Sequence, residues 1–340
     1  MSVREIQHPE RETSTVEAAG GYVRRMVQTE ARGWGRPVSI PDAYDAAKDA
    51  HDSYYAAIEA KRARGDAAIR KEVVIGDCRL ILGDCLEVLP TLAAASVDMV
   101  LADLPYGTTA CRWDAVIPLE PLWNEYRRIV KPNGAIVLTA AQPFTSALIS
   151  SNFKMFRYVW VWDKVLPRGH LNAKKQPMRV HEDIVVFSAE PHTYNPQKTN
   201  GHMRKVARAK YVKEGDGSQV YGKEVRDTLY DSTERYPTTI VTFSTADQRD
   251  KVHPTQKPVN LMEYLIRTYS NAGDTVRDNT MGSGTTGVAS AIAGRRFIGI
   301  EKHEPYFDTA CARVAEPVGP LATRPIGARA PEPKQEALSL

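Results

Sequence analysis

The chain has 340 residues, an ordinary globular composition and a formal net charge of +4 at pH 7. That length can bury a full core and suits one large α/β domain or two smaller ones, while so small a net charge excludes arguing for a polyanionic partner from total charge and moves the question to charge distribution. Cysteines at 78, 85, 111 and 311 form no C-x-x-C pair and no zinc-like spacing, and no apolar run is long enough to span a bilayer, so the expectation is a reduced, cytoplasmic protein with no structural metal and no membrane.

Residues 1–40 mix charges, small residues and glycines without a sustained period, as a flexible arm would. Pro41-Asp42 opens an Ala-, Lys- and acid-rich stretch to about Arg64, closed by Gly65 and read as a helix; Tyr44, Tyr54, Tyr55 and Ile58 give it a partial apolar face. Val73–Ile75 and Leu80–Leu82, separated by Gly76-Asp77, predict a hairpin. A helix from Leu86 to about Ala95 then leads to an apolar strand, Val97–Ala102, which ends in Asp103-Leu104-Pro105-Tyr106-Gly107. An acid, a proline and an aromatic leaving a buried strand together mark the edge where an open α/β sheet keeps its chemistry.

A helix over 119–130, a turn at Pro132-Asn133-Gly134, a strand at 135–139, a helix near 142–151 and strands near 158–162 and 183–187 continue the alternation, which predicts βαβ units and a mostly parallel sheet. The rhythm then stops. Between Val165 and Lys213 there are ten Lys or Arg against three acids, with His170, His192, Tyr194, His202 and Tyr211 interleaved. A charge run is by default a solvated loop, but one that interrupts a regular fold with aromatics suits phosphate contact and base reading. Arg168, Lys174, Lys175, Arg179, Lys198, Arg204, Lys205 and Arg208 are the candidate DNA-binding residues, and 190–250 the candidate target-recognition region.

Downstream, His253-Pro254-Thr255-Gln256-Lys257-Pro258 precedes a helix from about Val259 to Ser270. The strand Asp274–Asp278 runs into Met281-Gly282-Ser283-Gly284-Thr285-Thr286-Gly287, followed by a helix to about Ala293, the strand Arg296–Ile300 and the acid Glu301. The glycine bend lacks the lysine of a phosphate-binding P-loop and the spacing of a dinucleotide fingerprint. It remains a tight turn at a helix N-terminus, where backbone can approach a ligand. A strand-end carboxylate about twenty residues on can accept from both hydroxyls of a ribose, so an adenosine-containing ligand fits. The two acid-ended strands, at Asp103 and Asp278, are expected to lie side by side. Beyond Val314 the composition reads as a disordered tail.

Asp103-Leu104-Pro105-Tyr106 resembles the catalytic motif of amino-directed DNA methyltransferases, Asp278–Gly287 resembles their S-adenosylmethionine motif, and His253–Pro258 is similar to the H-P-T-x-K-P stretch of their permuted members. With the catalytic motif first, the basic insert next and the cofactor motif last, the order resembles the β group of that family. The resemblance covers about residues 72–314 and departs from it at Asp278-Asn279-Thr280, where Asp-Pro-Phe is common. It implies a permuted class I, Rossmann-like methyltransferase: a seven-stranded, mostly parallel α/β sheet with one antiparallel strand, flanked by helices and carrying an inserted target-recognition region. The implied organisation is an arm over 1–40, an N-terminal helix over 41–70, a catalytic half over 71–189, the recognition region over 190–250, a cofactor half over 251–315 and a tail over 316–340.

The family further implies S-adenosylmethionine as cofactor, double-stranded DNA as substrate and a homodimer. Its catalytic residues map to Asp103, Leu104, Pro105 and Tyr106. Its cofactor residues map to Asp84, Cys85, His253, Thr255, Gln256, Lys257, Asp278, Asn279, Met281, Gly282, Ser283, Gly284, Thr285, Thr286, Glu301 and Lys302. In such an enzyme the target base leaves the stack at a cost on the order of a few kcal/mol, and Tyr106 is expected to stack on it. Its amine would donate to the Asp103 carboxylate and to a following carbonyl, that of Leu104. Asp103 and Leu104 point to the adenine N6 amine. N4-cytosine methylation, which usually carries serine in place of the aspartate, and a catalytically silent DNA-binding regulator stand as alternatives, with a protein or RNA amide methyltransferase behind them.

Overall fold

The computed structural model describes residues 67–107, 114–209, 228–245 and 256–316, together with residues 56 and 60 and the backbone of Val3–Gln7. The helix expected over 41–64 lies outside these residues except at 56 and 60, both helical, and the tail beyond 316 lies outside them altogether. The chain divides into two compact units, one formed by Met1–Asn195 with Thr239–Leu340 and the other by Pro196–Thr238.

The first unit is built on a ten-stranded sheet. Its strands are β1 (Val3–Gln7), β2 (Lys71–Ile75), β3 (Cys78–Leu82), β4 (Val97–Asp103), β5 (Val130–Ala140), β6 (Phe156–Arg168), β7 (Arg179–Phe187), β10 (Ile240–Thr242), β11 (Thr275–Asp278) and β12 (Arg296–Glu301). Their spatial order is β1-β2-β3-β12-β11-β4-β5-β7-β6-β10. From β3 to β6 these are the seven strands implied by the resemblance, six of them parallel and β7 running against its neighbours. The other three extend the sheet: the predicted hairpin β2–β3 with β1 outside it at one edge, and β10 at the other.

Part of the arm expected over 1–40 is therefore ordered as a strand. Hairpin β2–β3 leaves β2 with an open edge, and β1 satisfies its backbone groups by antiparallel pairing.

Alternation along the strands sends side chains to two layers. Val100, Ala102, Ile136 and Leu138 face helices α1 (Cys85–Val88), α2 (Leu119–Ile129) and α3 (Phe144–Ser151), where Leu122, Trp123 and Tyr126 are buried. Met99, Leu101, Val137 and Val276 face α4 (Val259–Tyr269) and α5 (Thr285–Ile292) through Leu261 and Leu265. A third cluster joins β2, β3 and β12 to α6 (Glu304–Ala315), with Phe307, Ala310 and Val314 inward. α6 was not anticipated as a helix, because three apolar positions give little periodicity and its N-cap, His303, makes no side-chain bond. The helix expected from Leu86 to Ala95 is instead one α-turn and a 3₁₀ turn, since Pro90 cannot continue the ladder.

The turn expected at Pro132-Asn133-Gly134 is absorbed into β5, with a register shift against β4 between Val97 and Met99. The loop-like stretch after Trp162 begins as a continuation of β6 and β7, whose pairing reaches Arg168 opposite Arg179.

The second unit, Pro196–Thr238, is organised by an antiparallel pair, β8 (Lys205–Ala209) and β9 (Thr228–Ser232), and by a bridge between Thr199 and Arg235. It lies within the stretch read as a recognition region, whereas Ile240–Thr242 of that stretch belongs to the main sheet.

Candidate active site

β4 and β11 are adjacent and parallel, so the two acid-ended strands lie side by side as expected. A direct bond ties their ends together: the Thr280 hydroxyl donates to the backbone carbonyl of Asp103 at 3.0 Å. The amide of Gly107 donates to Asp114 at 2.9 Å and closes the turn.

The Asp103 carboxylate is about one quarter exposed, at 26%. Thr139 stands directly opposite it in the β4–β5 register and donates to Oδ1 from its buried hydroxyl. The Tyr106 hydroxyl donates to the same Oδ1 at 2.7 Å and lies 3.0 Å from the Thr139 oxygen. On the other oxygen, Oδ2, the Lys257 ammonium approaches to 2.9 Å. A carboxylate offers roughly four acceptor positions; Thr139 and Tyr106 take two on Oδ1, and Lys257 lies against Oδ2 as an ion pair, so the carboxylate keeps acceptor capacity for an incoming N–H.

Lys257 is the centre of a buried charge chain. It lies 3.1 Å from Glu182 Oε2, an ion pair without hydrogen-bond alignment, and Glu182 Oε1 accepts from Lys164 at 2.9 Å. Burial pushes the Lys257 ammonium down, but Asp103, Tyr106 and Glu182 outweigh it and hold the group well above the usual lysine value. Burial likewise pushes Glu182 up, and Lys257 with Lys164 overcomes it and keeps this carboxyl below its ordinary value. Burial, then the Asp103 charge, raises the Tyr106 phenol well above the usual range, so it stays a donor. One face of the Tyr106 ring stacks on Phe144 at 5.3 Å, and Lys257 lies 5.6 Å from its centroid.

The glycine bend sits at the end of β11. Gly282 and Gly284 take φ of +51° and +80°, and a Cβ on Gly284 would come within 2.9 Å of Ala310 on α6, so only glycine fits there. At Gly282 the same atom would meet nothing within 4 Å, which is the room a ligand needs beside backbone. Glu301, ending β12, accepts from the amides of Gly282 at 2.9 Å and His303 at 2.7 Å. These bonds fix the carboxylate and leave further lone pairs for hydroxyls, while burial pushes its carboxyl up.

Asp84, beyond the end of β3, caps α1 through Leu86 and pairs with Lys302 at 3.4 Å. Ser283 donates weakly to Gln256 at 3.5 Å. A nucleoside with a flexible charged tail matches this donor and acceptor set, so these residues fit the adenosine-bearing cofactor implied by the resemblance.

Behind the bend, Asp278 is buried and accepts from the Thr280 amide at 3.0 Å and the Thr286 hydroxyl at 2.7 Å; burial pushes its carboxyl up to about 7. Asn279 accepts from the Tyr126 hydroxyl, and Met281 packs beneath the bend against Gly299. Burial, then Asp84, pushes the Cys85 thiol up to about 12, which excludes a thiolate nucleophile at neutral pH.

Asp103, Leu104, Pro105 and Tyr106 are thus gathered at one strand end, beside the bend from Met281 to Thr286. His253 and Thr255 lie outside the described residues. Lys257, expected beside the cofactor, contacts Asp103. Of the candidate DNA contacts in the first unit, Lys174, Lys175 and Arg179 are exposed and have no ion pair among the described residues, and Arg168 reaches Thr245 at 3.4 Å. In the second unit Lys198 pairs with Glu234 at 2.9 Å and Arg204 makes a two-pronged pair with Asp231, while Lys205 and Arg208 sit on β8. The sequence reading missed Thr139, Lys164, Glu182 and the hydroxyl of Thr280.

A family model described as DNA methylase, of the N6/N4 type, matches residues 97–312. The DNA adenine methyltransferase YhdJ of Escherichia coli is 29% identical over 252 residues, covering 69% of this chain and 82% of that protein. The type II methyltransferase M.HpaI of Haemophilus parainfluenzae is 26% identical over 253 residues, covering 70% and 74%. Among solved structures, the PvuII DNA methyltransferase, described as cytosine-N4-specific, superposes with a TM-score of 0.52 at 16% identity, over 72% of this chain and 88% of that one.

Proposed function

Because the chain belongs to the N6/N4 DNA methylase family, and is therefore a methyltransferase of DNA amines, we propose that its target is the exocyclic N6 amine of adenine in duplex DNA and that Asp103 orients that amine. The observation that carries the role of Asp103 is a partly exposed carboxylate, held on Oδ1 by Thr139 and Tyr106 and with acceptor capacity left on Oδ2, at the end of the strand adjoining the glycine bend. S-adenosylmethionine supplies the methyl group as an electrophile on a sulfonium. Gly282, Glu301 and Asp84 would hold its nucleoside portion, with His253, Thr255 and Gln256 flanking the rest.

The amine lone pair of adenine is delocalised into the ring and is a poor nucleophile in the plane of the base. Acceptance of its N–H bonds by Asp103 and by the Leu104 carbonyl draws them out of plane and turns the lone pair toward the cofactor side of the crevice. Thr139 and Tyr106 hold Oδ1 and so leave the carboxylate no freedom to rotate away. Lys257 keeps Oδ2 beside a fixed positive charge. Most of the acceleration then comes from proximity and oriented polar groups. Asp103 or water would take the proton that the amine loses as the S–C bond of the sulfonium gives way to the new N–C bond, leaving a neutral thioether.

Adenine rather than cytosine is supported by an aspartate at position 103 and by the resemblance to an adenine methyltransferase across 82% of its length. The same reading includes a cytoplasmic setting, a target-recognition role for residues 190–250 and a homodimer, which light scattering tests. Digestion and mass spectrometry of DNA treated with the protein and S-adenosylmethionine decides the base. N6-methyladenine is expected. N4-methylcytosine would overturn the adenine assignment, and the absence of both, matched by the Asp103→Ala control, would favour a silent DNA-binding regulator.

A further inference from the structure

We infer that the hairpin arm between Lys164 and Glu182 enters the DNA duplex and fills the space left by the displaced base, with Leu171 as its apolar wedge. The inference rests on the methyltransferase reading and adds to it the element that opens the duplex.

The arm is rooted on the active centre. β6 runs parallel to β4 and β5, so its C-terminal end leaves the same sheet edge as Asp103. Its first residue pair, Lys164 with Glu182, is linked through Lys257 to Asp103 by contacts of 2.9, 3.1 and 2.9 Å. Beyond that pair the strands continue to Arg168 opposite Arg179 and close through ten residues. At about 3.3 Å per extended residue the arm reaches on the order of 15–20 Å, more than the roughly 8.5 Å depth of a major groove.

Its chemistry suits a polyanion with an apolar interior. Residues 165–181 contain four Lys or Arg, two His and no acid. At the tip, Gly169 takes φ +90° and starts a 3₁₀ turn, His170–Asn172, with Leu171 88% exposed. This turn is held by its own backbone: the amides of Asn172 and Ala173 donate to Gly169 and His170, and those of Lys175 and Gln176 to Asn172, at 2.8–3.1 Å. Leu171 is therefore presented by a closed turn rather than by a frayed end.

A single exposed leucine is ordinary. An exposed leucine at the tip of an acid-free basic arm rooted on the catalytic carboxylate is a different object. Apolar side chains inserted between base steps offset the cost of unstacking, and a flipped base leaves a gap of that kind. The absence of acids over the whole arm favours nucleic acid over a protein as the occupant.

The test uses the full chain, the Leu171→Ala variant and two duplexes carrying the recognised sequence, one fully paired and one with the target base opposite an abasic site, which is already unpaired. Single-turnover methylation by Leu171→Ala should fall about tenfold or more on the paired duplex and stay within about twofold of the parent on the other. Leu171→Phe should retain most of the paired-duplex rate. Equal loss on both duplexes, or no loss on either, would overturn the wedge. Failure of the unsubstituted protein to methylate either duplex would sink the underlying methyltransferase reading instead.

Discussion

The ammonium of Lys257 bridges two carboxylates, lying 2.9 Å from Asp103 Oδ2 and 3.1 Å from Glu182 Oε2, with Lys164 on the far side of Glu182. Four alternating charges thus run from the root of the hairpin arm to the turn at Asp103. The carboxylate proposed to accept from a neutral amine is set within a balanced row, beside the uncharged donors Tyr106 and Thr139.

Removing either inner member of that row should lower kcat by different amounts. Lys257→Met leaves the carboxylates of Asp103 and Glu182 without the cation between them and should lower kcat about tenfold or more, while cofactor affinity changes little. Glu182→Gln keeps Lys257 beside Asp103 and should cost less. Equal losses in the two variants would show that the row acts through packing alone.

Asp278 gives a second dependence, read in stability. Its folded-state carboxyl is raised by burial from 3.8 to about 7, so this group's stabilising contribution is complete below pH 4 and is lost as pH rises through 7. The full displacement corresponds to about 4 kcal/mol as an upper bound. Urea melts at pH 5 and pH 8 should show the parent losing stability over this window and Asp278→Asn losing less. An identical slope in the two proteins refutes the assignment.

Arg277 is fully buried, yet among the described residues its three guanidinium nitrogens have no hydrogen-bond partner; the ring of Tyr126, at 5.9 Å, is its cation-π contact. Burial lowers its pKa, with Tyr126, Cys85, Asp278 and Glu125 opposing. A desolvated charge with so little compensation costs several kcal/mol, and a cation-π contact returns about 2. Arg277→Met should therefore raise the unfolding free energy by about 1 kcal/mol or more. A less stable variant would reveal a buried partner for the guanidinium.

Lys174 and Lys175 predict a salt effect. If both meet phosphates, neutralising them together should reduce the slope of log K against log salt by about 2, since each contact contributes about 0.9. An unchanged slope removes them from the phosphate surface.

What the sequence made legible was whatever one segment carries by itself. The run Val97–Ala102 closing on Asp103, the glycine bend and the acid of Glu301 each combine a local period with a local stop, and the structure sets them along one edge. Thr139 and Glu182 carry no such signal, because their meaning comes from register: Thr139 stands opposite Asp103, and Glu182 stands across from Trp162 in the middle of β6. Thr280 looked like a lost phenylalanine until its hydroxyl was placed on the carbonyl of Asp103. Lys257 sat in a motif attributed to the cofactor, and its paired carboxylates lie on strands far from it in sequence.

The bond from Thr280 to Asp103 spans 177 residues of chain. During synthesis β4 finds β5 early, but its other neighbour, β11, emerges only after the whole insert has been made. At about 5–20 residues per second that interval lasts roughly 10–35 s. Throughout it, one flank of the buried strand β4 is an unpaired edge of the kind that recruits stray strands. The order of the two halves along the chain therefore leaves a hazard of edge-to-edge pairing that belongs to synthesis and that the finished sheet, with β11 in place, does not carry.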